Sequence, residues 1–498
     1  MRDDADKPSR IFFWTMAAVF AAGFTVLAVR LKEEQVDNAG KHRQEMQFQS
    51  FRRVQTAGLR GRILDRNGTV LADNRLSLDI VANPEAFKAS AKGETTIGNM
   101  MKAIERASKV VGRPSNLDEK TLRRHLGREL ARPVAVWRDV TEAELARFSE
   151  HSRELPGFDC TAGAERVYPC GELAAHLVGR VRRDMHRVES GDTKINFVDK
   201  DLCGREGLEL QYDEYLRAMP GEEILLVDAR GYAKSRKTLV EARDGFDLKL
   251  ELDAELQREA ERQLEGEKGA LVAIDPRNGA VRALASAPAF DPNDCVPVFR
   301  KETYDRLAKD PAKPLLNRAT SGTYAPGSTF KPITALAGMS TGRSPRETRI
   351  CTGVYELGGM KIKCGRTWGH GDVDMIRALR ESCNPYFCAL GVATGTNALC
   401  RMAKTFGLGA RTGIDFPTDA AGLVPDASAK ARLDPGSRWR LGDLAQMSMG
   451  QGMLLVTPLQ MARLAGALGT GSLFVPRLNS ALPLKACACP SPNTIFLS

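Results

Sequence analysis

Tyr324-Ala-Pro-Gly-Ser-Thr-Phe-Lys-Pro332 places a serine, Ser328, three residues before a lysine, Lys331. Residues three apart share one face of a helix. Pro326 and Gly327 suit a turn leading into a helix start. A serine in the first turn would then set its Oγ beside the Lys331 amine. A free hydroxyl is a poor nucleophile and needs a neighbouring base. A lysine serves as that base when desolvation or nearby charge lowers its pKa. The plain alternative is a helix cap followed by a surface lysine. Ser328 is the only serine in the chain with a lysine three positions on.

The stretch lies inside a longer pattern. Asn317-Arg-Ala-Thr-Ser-Gly-Thr-Tyr-Ala-Pro-Gly-Ser-Thr-Phe-Lys-Pro332 resembles the active-site segment of class B penicillin-binding proteins, the D,D-transpeptidases that cross-link peptidoglycan. Trp368-Gly-His-Gly371 and the segment from Gly442 to Arg463 resemble the elongation-specific penicillin-binding protein 2 branch. The resemblance runs from about Arg60 to about Pro476, with several separated motifs in the family's order. It implies an α+β chain: an N-terminal transmembrane helix, an elongated mixed pedestal, and a serine transpeptidase domain of the β-lactamase-like α/β type.

The chain has 498 residues, more than one ordinary domain, and a net charge of +10 spread along it. No basic patch is interleaved with aromatics, which argues against a nucleic-acid partner. Ile11 to Val29 is a run of 19 residues without a charge, enough to span a bilayer. A cleaved signal peptide is the rival, but no small-x-small cleavage site follows the run. The expected organisation is a cytoplasmic tail over 1–10, an anchor over 11–29 and a polar stem over 30–59. A pedestal over 60–244, a transpeptidase domain over 245–478 and an aberrant tail over 479–498 follow. The resemblance places the body on the periplasmic side of the inner membrane.

Asn67-Gly68 and Asn278-Gly279 each sit between apolar runs, the signature of a tight hairpin. Residues 95–153 have helical spacing around Ile104 and Leu122 and suit a helical insertion. Arg166-Val-Tyr-Pro169, His176-Leu-Val-Gly179 and the segment Gly204 to Asp213 match pedestal motifs, the last with a structural role in the family. Asp253 would cap a helix over Ala254–Leu264. After Ser328 the pattern is mostly helical, except that 350–372 reads as an ordered Gly- and Cys-rich loop.

Ser382-Cys-Asn384 supplies the family's second motif, Ser-x-Asn, which by itself is also an ordinary helix cap. The resemblance gives Ser382 a proton relay between Lys331 and the leaving amine, and gives Asn384 a hydrogen bond to the substrate amide. It implies a two-step acyl transfer in which Ser328 expels the terminal D-Ala of a stem peptide and a neighbouring stem's amine resolves the ester. A β-lactam would mimic the D-Ala-D-Ala end. The implied partners are peptidoglycan stem peptides, β-lactams, the cytoplasmic membrane and elongation-complex membrane proteins including a glycosyltransferase. No cofactor is implied for catalysis.

One family motif is missing. The chain holds no Lys-Thr-Gly or Lys-Ser-Gly: Lys404-Thr405 precedes Phe406, and Gly469-Thr470-Gly471 has no lysine. The family pattern fades near Pro476, and Asn479 to Asn493 resembles nothing in it. The expectation is a C-terminally truncated domain, impaired in catalysis, whose opening hairpin lacks sheet partners. An inactive scaffold of the elongation machinery and a serine β-lactamase or β-lactam sensor are the rival readings.

Cys351, Cys364, His370 and Cys383 are spaced Cys-x12-Cys-x5-His-x12-Cys, and three thiols with one imidazole make a closed tetrahedral zinc site. Buried small residues or a disulfide are the alternatives, and Cys388 is an alternative fourth ligand. Some penicillin-binding protein 2 relatives resemble this arrangement and carry a structural zinc. Cys160 and Cys170 are a candidate disulfide in the pedestal.

Overall fold

The computed structural model describes residues 10–38, 51–56, 58–89, 94–184, 195–198, 201–228, 230–296, 299–481, 483 and 486–488. The expected tail before Arg10, part of the stem and the last ten residues lie outside them.

The apolar run forms a helix over Arg10–Lys32, with Arg30 and Lys32 in its last turn. At 1.5 Å per residue it is long enough for a hydrocarbon core of about 30 Å. None of its apolar stretch is buried inside the fold.

The stem ends earlier than its polarity indicates. Phe51–Thr56 is a strand, antiparallel to Gly221–Val227 from Phe51↔Leu226 to Thr56↔Gly221. Val54 turns into a small core with Leu225 and Val227. A second sheet starts at the Asn67-Gly68 hairpin, which joins Ile63–Leu64 to Val70–Ala82. Gly68 holds φ at +95°, a conformation that glycine adopts without penalty. Val70–Ala82 continues as a long ribbon against Phe158–Val167.

The helical insertion is present as Thr96–Val111, Glu119–Glu129 and Glu142–Glu150, each capped by the side chain before it: Thr95, Asp118 and Thr141. Ile104 and Leu122 are core residues as the spacing predicts. The insertion also contains a strand, Val134–Trp137, that joins the second sheet. The proposed Cys160–Cys170 pair is absent. Both are free thiols: Cys160 lies opposite Ile80 in the ribbon, and the Cys170 thiol reaches the Val70 carbonyl.

A buried ion cluster holds the pedestal together. Glu209, fully buried, accepts from Arg60 Nε at 2.6 Å and Arg166 Nε at 2.7 Å. Arg60 also reaches Asp213 at 2.8 Å and the Leu202 carbonyl. The 204–213 segment, which supplies Glu209 and Asp213, therefore has a structural role here. Its Tyr212 hydroxyl donates to Asp415 at 2.5 Å, tying the pedestal to the helical half of the chain.

Asp253 caps the helix Ala254–Gln263 by accepting from Glu255 N and Leu256 N. This helix packs on Val281–Ala287, the second strand of the Asn278-Gly279 hairpin, and Pro458–Thr470 packs on the first, Gly269–Ile274. Among the described residues this sheet has two strands, and Arg477 adds a bridge to Ala280. The expected aberrant tail is integrated at its start. Asn479 bridges Leu250, Ser480 N donates to the Lys249 carbonyl, and Ala486–Ala488 pairs with Ser472–Phe474. Backbone pairing needs no family motif, so irregular sequence here still completes an edge.

The helical half buries Phe330, Ile333 and Leu336 against Leu399, Phe406, Met447 and Leu464. The expected 350–372 loop is instead two β-ribbons. Val354–Leu357 pairs with Met360–Lys363, and Arg349–Cys351 pairs with Gly371–Val373. Gly358 and Gly359 both have positive φ, which makes the tight reversal between the first two strands.

Candidate active site and thiol cluster

Ser328 sits in a short 3-10 turn, Gly327–Phe330, and Lys331 opens the helix Lys331–Ser340 behind it. Ser328 is exposed, whereas Lys331 is 1% exposed. The expected direct contact between the two is not made. Lys331 Nζ lies 2.7 Å from the Ser382 carbonyl, 2.8 Å from Asn384 Oδ1 and 2.9 Å from Ser382 Oγ. Ser382 Oγ in turn lies 2.9 Å from Ser328 Oγ. Lys331 and Ser328 are thus linked through the Ser382 hydroxyl. Ser328 is in the turn, so its side chain leaves at a different angle from one seated in the helix itself.

Burial pushes the Lys331 amine below the ordinary lysine pKa, only partly offset by the thiols of Cys383, Cys364 and Cys388. Its Nζ donates to the Ser382 carbonyl, to Asn384 Oδ1 and to Ser382 Oγ, and Ser382 Oγ donates in turn to Ser328 Oγ.

Ser382 has φ of +53°, a left-handed conformation uncommon for a residue with a Cβ. It is held from both sides. Cys383 N donates to the Ala378 carbonyl, and Asn384 begins the helix Asn384–Thr394. Asn384 Nδ2 donates to the Lys363 carbonyl at 3.0 Å, so the strand Met360–Lys363 fixes the rotamer of this amide.

Sequence reasoning missed two neighbours of this constellation. Lys363 has no motif around it, and its role comes from pairing across the fold. The turn Gly450-Gln-Gly452 lies against residue 327: Gly327 N donates to the Gly450 carbonyl. A Cβ at 450 would stand 2.0 Å from the Gly327 carbonyl oxygen, so only glycine fits there. The Gly-x-Gly spacing was the available signal.

Ser382 and Asn384 flank Cys383, which belongs to a second constellation. The ligand atoms of Cys351, Cys364, His370 and Cys383 all lie within 4.8 Å of one another, and the three thiols are buried. His370 Nδ1 is 3.4 Å from Cys364 Sγ and 3.6 Å from Cys351 Sγ. A tetrahedral ion with sulfur at ~2.3 Å and nitrogen at ~2.0 Å sets those atoms roughly 3.5 Å apart. The residues therefore fit such an ion. Glu381 stands 3.4 Å from His370 Nε2, the place of a carboxylate that orients an imidazole ligand. Burial would raise the Cys351 thiol, but the Gly353 and His370 backbone N–H groups and the Cys383 and Cys364 thiols bring it below its ordinary value. Cys388, the alternative ligand, is not in the group: its thiol meets the Ala445 carbonyl in a separate apolar cluster.

A dimerisation domain followed by a transpeptidase domain defines the class B penicillin-binding proteins. The profile of the penicillin-binding protein dimerisation domain matches residues 55–250, and that of the penicillin binding protein transpeptidase domain matches 269–484. Peptidoglycan D,D-transpeptidase MrdA of Acinetobacter baumannii is 35% identical over 413 residues, covering 81% of this chain and 59% of that protein. MrdA of Escherichia coli K12 is 32% identical over 434 residues, covering 85% and 67%. The chain thus spans roughly three-fifths to two-thirds of the length of these relatives. In the complex between penicillin-binding protein 2 and MreC from Helicobacter pylori, the matching chain superposes with a TM-score of 0.75 at 26% identity. That match covers 90% of this chain and 82% of the other. A chain of a peptidoglycan synthase complex that coordinates polymerization and crosslinking matches with a TM-score of 0.66 at 28% identity. The chain belongs to the class B penicillin-binding proteins, and within them to the penicillin-binding protein 2, or MrdA, type.

Proposed function

We propose that the chain is a peptidoglycan D,D-transpeptidase that works through an ester on Ser328. The observation that carries this reading is the line of contacts from buried Lys331 through Ser382 Oγ to exposed Ser328 Oγ. Ser328 Oγ attacks the carbonyl of the penultimate D-Ala, and its proton passes through Ser382 to Lys331. The C–N bond to the terminal D-Ala breaks, and the same proton returns to the departing amine. An amine of a neighbouring stem then attacks the ester, releasing Ser328. Asn384, its Oδ1 on Lys331 and one Nδ2 hydrogen on Lys363, keeps its second Nδ2 hydrogen for the substrate amide. A β-lactam enters the first step and stays on Ser328. Labelling with fluorescent penicillin before and after Ser328→Ala tests this: the label is expected to vanish, and unchanged labelling would refute the assignment.

The oxyanion of that step needs preorganised N–H donors, and these 498 residues contain no Lys-Thr-Gly or Lys-Ser-Gly triplet. Losing one donor costs on the order of 10²–10³ in rate. Acylation of this chain is accordingly slow beside a version extended with a relative's strands, and equal rates would overturn that expectation.

Cys351, Cys364, His370 and Cys383 are proposed to hold one structural zinc, supported by the fit of their spacing to a tetrahedral ion. Four protein ligands leave no position for substrate, so the ion would supply rigidity and no chemistry. It would tie both ribbons of the 349–373 segment to Cys383, between Ser382 and Asn384. Close to one zinc per chain is expected in the purified ectodomain. Full zinc content and unchanged melting in His370→Ala would exclude the site, because binding energy of a structural metal is folding energy.

The helix Arg10–Lys32 would anchor the protein in the inner membrane with the catalytic half in the periplasm. The partners that fit are elongation-complex proteins, namely a membrane glycosyltransferase and an MreC-type protein, as with the structural relatives above.

A further inference from the structure

We propose that Phe387 is a positioning residue of the transfer reaction: the face of its ring stands against Lys331 Nζ and supports the positive charge that this amine takes up when Ser328 attacks. This rests on the transpeptidase reading above. As the bond from Ser328 Oγ to the carbonyl carbon forms, the Ser328 proton passes to Ser382 and the Ser382 proton to Lys331. The amine leaves that step as an ammonium on a side chain only 1% exposed.

Three features of the surroundings single out the ring. The first is a shortage of negative charge. Lys331 Nζ meets the Ser382 carbonyl, Ser382 Oγ and Asn384 Oδ1, three oxygens for the three N–H donors of an ammonium. All three are neutral, and among the described residues no carboxylate pairs with Lys331. The ionisable groups that act on it are the thiols of Cys383, Cys364 and Cys388. The second feature is an adverse dipole. Ser382 and Asn384 lie at the start of the helix Asn384–Thr394, whose N-terminal end carries partial positive charge and opposes a cation. Burial opposes it as well and pushes the amine's pKa down. The third is the ring itself. Lys331 Nζ lies over the Phe387 face, 5.6 Å from the centroid, within reach of a cation–π contact. An aromatic face is the negative pole of a quadrupole, so it steadies a cation where water is excluded.

The ring is fixed to the same frame as the three oxygens. Phe387 is 0% exposed and packs among Ala335, Met375, Tyr386 and Leu390. Tyr386 meets it at 72°, with ring centroids 5.5 Å apart. Phe387 N donates to the Cys383 carbonyl, which joins its backbone to the Ser382-Cys-Asn384 turn. The helix that carries Lys331 packs on the helix that carries Phe387. The ring has no exchangeable proton, so it acts on the charge of Lys331 without joining the proton transfers.

The test varies the charge of the ring face at nearly constant shape. Phenylalanine bearing one, two or three ring fluorines is placed at position 387 of the full chain by nonsense suppression, because each fluorine drains negative charge from the face. Acylation of Ser328 by benzylpenicillin is followed across pH by intact-protein mass spectrometry. The rate is expected to fall stepwise, by about three- to tenfold at the third fluorine. The acid limb of the profile should move to lower pH in the same order, because the ammonium is progressively less supported. The thiols of Cys383, Cys364 and Cys388 also face Lys331 but are the same throughout the series, so an ordered shift belongs to the ring. A slow Phe387→Leu with no trend across the fluorinated chains would give the ring a packing role alone and overturn the proposal. A second measurement does not need turnover. Urea midpoints over a range of pH are compared for phenylalanine and trifluorophenylalanine at 387, each with Lys331 and with Lys331→Met, as a double-mutant cycle. Fluorination should cost stability when Lys331 is present, increasingly as pH falls, and little in Lys331→Met. An equal cost in both backgrounds overturns the proposal. Absence of any Ser328 adduct from the unmodified chain would instead refute the transpeptidase reading. The cycle would then still decide whether the ring meets the charge.

Discussion

Ser382→Ala is the substitution that most directly examines the catalytic geometry. Lys331 Nζ has three oxygen neighbours at 2.7–2.9 Å, and Ser328 Oγ is not one of them. The hydrogen-bond partner of Ser328 Oγ is Ser382 Oγ, at 2.9 Å. Removing that hydroxyl leaves Ser328 with no path to a base. Positioned acid–base groups contribute roughly 10²–10⁴ in rate, or about 3–5 kcal/mol of activation free energy at 1.36 kcal/mol per decade. Ser382→Ala should slow penicillin acylation by that factor. The left-handed backbone at Ser382, φ +53°, offers a rival cause, because a strained alanine could shift the neighbouring Asn384. Ser382→Gly separates the two. Glycine tolerates positive φ and relieves the strain, but it restores no hydroxyl. Stopped-flow or mass-spectrometric acylation rates should be equally low for Ala and Gly. Recovery of most of the rate in Ser382→Gly, or a loss below threefold in Ser382→Ala, would refute the relay.

Two further expectations concern the pedestal. Glu209→Gln leaves Arg60 and Arg166, exposed by no more than 2%, without their shared carboxylate. Breaking a buried pair from one side costs about 3–5 kcal/mol. The urea midpoint of the ectodomain should fall accordingly, and a change under 1 kcal/mol would show that the cluster is compensated. His176 Nε2 donates to the Pro314 carbonyl at 2.6 Å and its ring meets Phe290 edge-on. Burial lowers its pKa from 6.5 to about 4. The neutral ring is the folded form, so its contribution is complete above pH 6.5 and is lost as pH falls towards 4, at most about 3 kcal/mol. His176→Gln should flatten the difference in stability between pH 7.5 and pH 4.5, and an unchanged difference would assign it to other groups.

Local chemistry made much of this protein legible in its sequence. Asn67-Gly68, Asn278-Gly279 and the Asp253 cap act over a few residues, so their turns and helix start could be read directly. The apolar helix Arg10–Lys32 followed from length and apolarity alone. Ser328, Lys331 and Ser-x-Asn were legible as motifs, and the four metal-fitting residues as a cluster about a lone histidine. Tertiary structure decided the rest, because it depends on pairing across long separations. Phe51–Thr56 looks like polar stem until Gly221–Val227 supplies its hydrogen bonds. Cys388 lies only five residues beyond Cys383, but its place on the helix turns it towards Ala445. Lys331 lies three residues from Ser328, yet burial aims its amine at Ser382 and Asn384. Lys363 acquires its place only because a strand from a distant ribbon meets the Asn384 amide. Spacing along the chain sets which side chains are near in sequence. The packed core sets which of them face each other.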